Sequence, residues 1–426
     1  MAANASTPDL AQLVGAYGAT GRHPGGRTVA ALAAGTRVLA RGLRPHELVD
    51  AAKAFAAMRP PQADALVAAL DAAAPARAEK LAPTQAASLI AALADLRCGV
   101  GAAEESDAAR FAPLASLPAL CERIRGNESD LGAPALAALA VALERLRHRD
   151  APLLSSLAAE LELGVAQLDG TELCAAPAAF ARLGLTDGAA ASLAAAAARE
   201  LGSRAAAAST GDMAADATRC ADLCWALAVF GLWQDSAMKR SWRACIMASL
   251  GCIGSLPRAT LTQLLDVSEL AMAQLPLEKA RTFALSGALD DAAQAARTLL
   301  DGGASEASAI AGASVTAALQ RLGYVASAGA AVGRGGGCVD ASVASLKLAI
   351  LCEGAASFAV SGDVSAPLGS ALVRRRLVSA CAPGWTVRTF DVRAWTRLLG
   401  DEAAQEAFVC EKCADVGIEP RTDSCR

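Results

Sequence analysis

Residues Cys338 to Cys413 read CVDASVASLKLAILCEGAASFAVSGDVSAPLGSALVRRRLVSACAPGWTVRTFDVRAWTRLLGDEAAQEAFVCEKC. The text before this run is Ala-rich and helical in pattern. Here the apolar runs are short and bounded by turn residues. Leu346 to Cys352 (LKLAILC) has the length and apolarity of a buried strand, closed by Glu353-Gly354. Ser357 to Val360 suits a short second strand. Pro367-Leu368-Gly369 opens a helical segment carrying Arg374, Arg375 and Arg376, and Pro383-Gly384 ends it. Trp385 to Phe390 (WTVRTF) alternates and is rich in β-formers, which predicts a third strand. Trp395 and Leu398-Leu399 fall on a last amphipathic helix. The order strand, strand, helix, strand, helix defines a small α/β domain over 338–413, with a tail at 414–426.

This ordered set resembles the RAP domain, a module of organellar RNA-binding proteins with a restriction-endonuclease-like fold. The residues that carry it are Val339-Asp340, the strand ending at Glu353-Gly354, Phe358, Pro367-Leu368-Gly369, Arg374-Arg375-Arg376-Leu377, Gly384-Trp385 and Trp395. The likeness covers the last quarter of the chain. It implies a nuclease-like scaffold that binds RNA. The departures bear on catalysis. The family's strand acid is Leu351 here, its Asp is Glu353, and its Pro and His are Ala355 and Ser357. A metal-dependent nuclease needs carboxylates converging on one cation. With only Asp340 and Glu353 kept, the expectation is a binding scaffold and no enzyme.

Upstream, the chain repeats. Leu43 with Met58, Leu81 with Leu96, Leu131 with Leu146, Leu168 with Leu183, and Ala215 with Phe230 are pairs of apolar anchors, each separated by the same fifteen positions. The blocks start at intervals of roughly 37 to 50 residues, within the span of helical-hairpin repeats. The longer intervals hold small-residue insertions around Gly99 to Asp107 and Ala205 to Gly211. One such hairpin cannot bury its apolar face alone, so stacked neighbours must share a core. The expectation is a mainly α chain: an α-solenoid over 43–300, a linker with a helix over 301–337, and the α/β domain. The repeats resemble the octotricopeptide and heptatricopeptide types that accompany RAP domains.

The register places Arg59, Arg97 and Arg147 directly after the closing anchors of their blocks, where they would form a basic ladder for RNA phosphates. The plainer role for such arginines is to complement the helix dipole. Gly184 and Gly231 hold the same place in the next two blocks. Between Cys220 and Leu250, Trp225, Phe230 and Trp233 mix with Lys239, Arg240, Trp242 and Arg243. Such interleaving can stack bases and hold phosphates, although Trp225 and Phe230 sit at core positions. The candidate RNA-binding set is Arg59, Arg97, Arg147, Lys239, Arg240, Arg243, Arg374, Arg375 and Arg376.

Composition sets the limits. Apolar residues make up 54% of the chain, largely Ala, and aromatics only 4%. A net charge of −4 excludes a surface that is basic all over, but allows a basic face offset by acids elsewhere. The Ala runs near 188–198 are too short and too weakly apolar to span a membrane. Thirteen cysteines without regular spacing point to reduced thiols in an intracellular compartment. Cys410 and Cys413, with Cys425 beyond them, lack a fourth ligand nearby for zinc, and His23, His46 and His148 are too few and too scattered for a His-based site. No metal site or cofactor is expected. Residues 1–42 carry Arg22, Arg27, Arg37 and Arg41 against Asp9 alone, which suits an organelle-targeting segment. No phosphate loop, nucleophile elbow or kinase set is present.

Together with the resemblance, this implies a non-catalytic organellar RNA-binding protein. The first expectation is a component of the mitochondrial ribosome that holds rRNA, with other ribonucleoprotein subunits as partners. The alternatives are a transcript-specific stability, processing or translation factor, a plastid location, an active RAP-type nuclease, and a protein-only assembly scaffold.

Overall fold

The structure is a computed structural model. It describes residues 7–20, 25–60, 63–98, 112–207, 217–232, 260, 262–264, 266–267, 269–270, 306–332 and 337–419. The chain is mainly helical, with a small sheet region towards the C-terminus. It divides into two compact units: Met1–Ala207 with Ala359–Ala366, and Ala208–Phe358 with Pro367–Arg426.

In the N-terminal unit the helices form two layers. The first layer holds α1 (Thr7–Thr20), α3 (Pro45–Met58), α5 (Pro83–Cys98), α7 (Ala133–Arg145) and α9 (Gly170–Arg182), each packed on the next. Between them in sequence run α2 (Gly25–Leu39), α4 (Ala63–Ala73), α6 (Leu117–Ile124), α8 (Ala151–Leu163) and α10 (Gly188–Ala207). The anchors explain the layering. Leu43, Leu81, Leu131 and Leu168 each follow a 3-10 turn, adopt an extended backbone and are buried. The closing anchors Met58, Leu96, Leu146 and Leu183 are buried too. Each leucine so buried contributes roughly 2 kcal/mol. Pro45 and Pro83 open α3 and α5, where a missing N–H costs nothing.

Arginines from the second half of the same block lock this arrangement. Arg77 Nε donates to the Leu43 carbonyl, Arg123 Nε to Leu81 and Arg204 Nη1 to Leu168, at 2.6, 2.6 and 2.7 Å. The extended opening leucine leaves its carbonyl outside any helix ladder, and a guanidinium supplies the donor.

Helices α1 and α2 belong to this unit. Helix α1 packs on α3 so closely that a Cβ on Gly18 would lie 2.6 Å from the Ala54 Cβ. The unit also takes in Ala359–Ala366. There β7 (Ser361–Gly362) runs parallel to β1 (His148–Arg149), pairing His148 with Ser361 and Arg149 with Gly362. Gly362 has φ +77, and a Cβ on it would meet the Arg149 carbonyl oxygen at 2.1 Å, so only glycine fits.

In the C-terminal unit one sheet has the order β2 (Ser327–Ala328), β5 (Ala341–Val343), β6 (Leu348–Glu353), β8 (Thr386–Asp391). Strand β5 is antiparallel to β2 and β6, while β6 and β8 are parallel and joined through helix α13 (Gly369–Cys381). A further pair, β3 (Ala331–Val332) and β4 (Gly337–Cys338), is antiparallel. Every residue of β6 is buried, as its unbroken apolar run requires of a strand covered on both faces. Leu348, Ile350 and Cys352 join a core with α12 (Glu306–Arg321), Trp395 of α14 (Val392–Thr396) and Val409 of α15 (Glu402–Cys413). Ala349 and Leu351 join a second core with Val332, Val339, Val378 and Ala382.

Several boundaries differ from the sequence reading. The first strand begins at Leu348, because Ala344–Leu346 is a 3-10 turn and Lys347 is left-handed. The expected second strand at 357–360 is displaced to Ser361–Gly362 and pairs with β1, not with this sheet. The sheet instead recruits Ser327–Ala328 from the expected Gly/Ala loop. Helix α12, expected within a linker, supplies Val315, Ala318 and Leu319 to the core of the unit. Leu398 and Leu399 lie in a turn beyond α14.

Candidate nucleic-acid interface

The position after each closing anchor has a shared conformation. Arg59 caps α3 in the left-handed region at φ 47, with its N–H bonded to the Phe55 carbonyl at 2.8 Å. Arg147 has φ 50, Gly184 φ 70 and Gly231 φ 74. A left-handed residue ends a helix by turning the chain out of its axis, and glycine does this without strain. Two arginines thus occupy a place that two later blocks give to glycine. Arg97 departs from this: it lies inside α5, half-buried, and burial pushes its pKa down, opposed by Asp64 and Asp71.

The C-terminal ends of α3, α5 and α7 meet at a cavity of about 400 Å³ lined by Ala56, Arg59, Asp95, Cys98 and Arg145. Arg59, Asp95, Cys98 and Arg145 are exposed. Arg145 Nη1 donates to Asp95 Oδ1 in a pair whose side chains are 45% and 54% exposed. An ion pair so open to water contributes at most about 1 kcal/mol, so a phosphate can take the place of Asp95. The sequence reading missed Arg145. Its signal was available: it sits one residue before the anchor Leu146, where Arg182 stands before Leu183.

The three consecutive arginines of α13 face partners within their own unit. Arg374 Nη2 donates to Asp340 Oδ2 at 3.0 Å, and Cys352 N–H donates to the same oxygen at 2.7 Å. Arg375 holds Glu353 through two bonds, Nε to Oε1 at 3.0 Å and Nη2 to Oε2 at 2.9 Å. The Glu353 side chain is 1% exposed, so this pair is closed to solvent on the acid's side. Arg376 Nη1 donates to the carbonyl of Val229, near the end of α11 (Ala217–Phe230), where helix carbonyls lack intrahelical donors. Asp340 and Glu353 therefore each face a guanidinium. Leu351 is fully buried among apolar side chains.

Other expected positions can be placed. Trp225 is buried, and its Nε1 donates to Asp266 Oδ2 at 3.4 Å. Phe230 is half-buried. Cys410 and Cys413 are buried thiols, and burial pushes Cys413 up to about 12. Lys239, Arg240, Arg243, Trp233, Trp242 and the anchor Ala215 lie outside the described residues. Among the described residues, no helix is long and apolar enough to cross a membrane. No family model matches the chain, and no curated protein matches it.

Proposed function

We propose that this protein is a non-catalytic organellar RNA-binding protein: an α-solenoid of degenerate hairpin repeats with a RAP-like domain, acting as a mitochondrial ribosome component that holds rRNA. The observation that carries the reading is the groove where three successive first-layer helices end, with Arg59 and Arg145 exposed along it. The partial negative charge of helix C-termini favours guanidinium groups there, and these groups can hold phosphates bidentately. The repeated extended leucines and left-handed closing residues support the repeat register on which the ladder depends. A binding role, not cleavage, is supported by the pairing of Asp340 with Arg374 and of Glu353 with Arg375, which leaves these acids answered by cations instead of a metal. The proposed contact surface centres on Arg59 and Arg145, because Arg374, Arg375 and Arg376 are engaged within their own unit.

The test is crosslinking in cells, followed by purification and sequencing of attached RNA, together with binding of a single-stranded RNA at several salt concentrations. Crosslinks to organellar rRNA and sedimentation with ribosomes are expected. Arg59→Ala with Arg145→Ala should flatten the log–log salt slope by about 1.4, two phosphate contacts' worth for a single strand. Crosslinks to one messenger would move the protein to the transcript-factor class. No RNA above background would leave a protein-interaction scaffold.

A further inference from the structure

Three side chains that play no part in the groove meet inside the N-terminal unit. Cys121 lies on α6, His148 on β1, and Asp150 is the N-cap of α8. One donor atom from each lies within 4.8 Å of the other two. Cys121 is fully buried and His148 is 2% exposed. Among the described residues the His148 Nε2 has no hydrogen-bond partner, while Nδ1 lies 2.8 Å from the Ser361 Oγ. A buried ring nitrogen left without a partner costs about 1–3 kcal/mol, a penalty a core normally avoids.

We infer that Cys121, His148 and Asp150 form a binding site for a divalent metal ion of the zinc type. A sulfur, an imidazole nitrogen and a carboxylate oxygen suit zinc, a borderline-soft ion that takes four ligands. Tetrahedral bond lengths set neighbouring ligand atoms about 3.5 Å apart, so a modest tightening of the cluster admits the ion. Ser361 completes the arrangement. Accepting from Nδ1–H, it selects the tautomer whose Nε2 lone pair faces the metal, the usual device for orienting a histidine ligand. Asp150 has capacity to spare. Its Oδ1 accepts from Leu153 N–H at 3.2 Å and its Oδ2 from Arg125 Nη2 at 2.6 Å, two of about four lone-pair sites. On binding, the Cys121 thiol gives up its proton to solvent and a sulfur–metal bond forms. The 2+ charge of the ion is then balanced by thiolate and carboxylate. The fourth position is open to water. Through Ser361 the ion would also brace the short pairing of β7 with β1.

The experiment uses the full chain without RNA, stripped with chelator and titrated with Co²⁺ and then Zn²⁺ against a chromophoric competitor. Wild type should show a thiolate-to-cobalt charge-transfer band that zinc bleaches. Cys121→Ser should lose the band, and His148→Gln should weaken binding at least a hundredfold. Asp150→Asn keeps a good N-cap, so far-UV circular dichroism should be unchanged while affinity falls at least tenfold. Ser361→Ala should weaken binding about tenfold, as loss of an outer-shell partner does. Equal binding by wild type and Cys121→Ser would assign the metal to other thiols and overturn the site. So would equal binding by wild type and Asp150→Asn, or no binding by wild type. If Cys121→Ser does not fold, the Asp150→Asn and Ser361→Ala affinities decide.

Discussion

Arg375 and Glu353 offer an asymmetric test. The Glu353 side chain is 1% exposed and that of Arg375 is 32% exposed. Replacing Arg375 by Ala strands a buried carboxylate. Breaking a buried pair costs about 3–5 kcal/mol, and the low end applies because the site opens to water on the arginine's side. Replacing Glu353 by Gln keeps the shape and leaves a guanidinium that can turn to solvent, so the cost falls to about 1 kcal/mol. Hydrogen exchange of a peptide spanning Leu348–Glu353 isolates this sheet from the rest of the chain. A loss of about 3 kcal/mol speeds exchange roughly a hundredfold, and about 1 kcal/mol roughly fivefold. The double variant Arg375→Met, Glu353→Leu should recover most of the loss, because apolar side chains of similar size suit the covered face of β6. Equal effects of the two single changes would refute the reasoning, as would a fall in RNA binding by Arg375→Ala with exchange unchanged. Either result would make Arg375 an outward-facing ligand.

Arg59→Gly should stabilise the N-terminal unit by about 0.5–1 kcal/mol, since glycine takes the left-handed cap without strain, yet weaken RNA binding; thermal melting beside filter binding separates the two effects. Arg123→Ala should cost about 1–2 kcal/mol by leaving the Leu81 carbonyl without its charged donor, read as a lower urea midpoint. Gly18→Val should crowd Ala54 and release α1, at about 1–3 kcal/mol, seen as faster exchange over 7–20. The pairing of β7 with β1 should loosen in acid. The Ser365 hydroxyl, then its N–H, and the charge of Arg149 hold Asp363 below the usual carboxylate range. Its contribution is therefore complete above about pH 4 and lost as pH falls through the depressed value. Proteolysis at 359–366 should rise at the acid end in wild type and rise less in Asp363→Asn, where only buried His148, whose pKa burial pushes down, is left to charge in this pairing.

Much of the fold was legible because burial leaves a local trace. The fifteen-residue spacing of Leu43 with Met58, and of its successors, marks where a helix must start and stop against a shared core. LKLAILC announced a strand covered on both faces, and WTVRTF its neighbour. Arg59 and Arg147 were legible as positions, but their left-handed backbone was not. Pro60 after Arg59 marks a helix end and nothing in LRH at 146–148 does, whereas LGL at 183–185 names the turn residue itself.

What the sequence determined by itself is thus the text of the first-layer helices and of β6 and β8, with the fifteen-residue spacing of the anchors, since these rest on contacts a few residues apart. Only the tertiary structure decided where the polar groups go. Asp340, just before β5, meets Arg374, and Glu353, at the end of β6, meets Arg375, where Val378 of α13 shares a core with Ala349 and Leu351. His148 meets Ser361 across 213 positions because Ala359–Ala366 belongs to the N-terminal unit, where β7 pairs with β1. Cys121, His148 and Asp150 converge from three elements. Hydrophobic periodicity is additive and local, so a linear chain displays it. A hydrogen bond or a ligand set needs atoms placed within a few tenths of an ångström, and only the packed core supplies that placement.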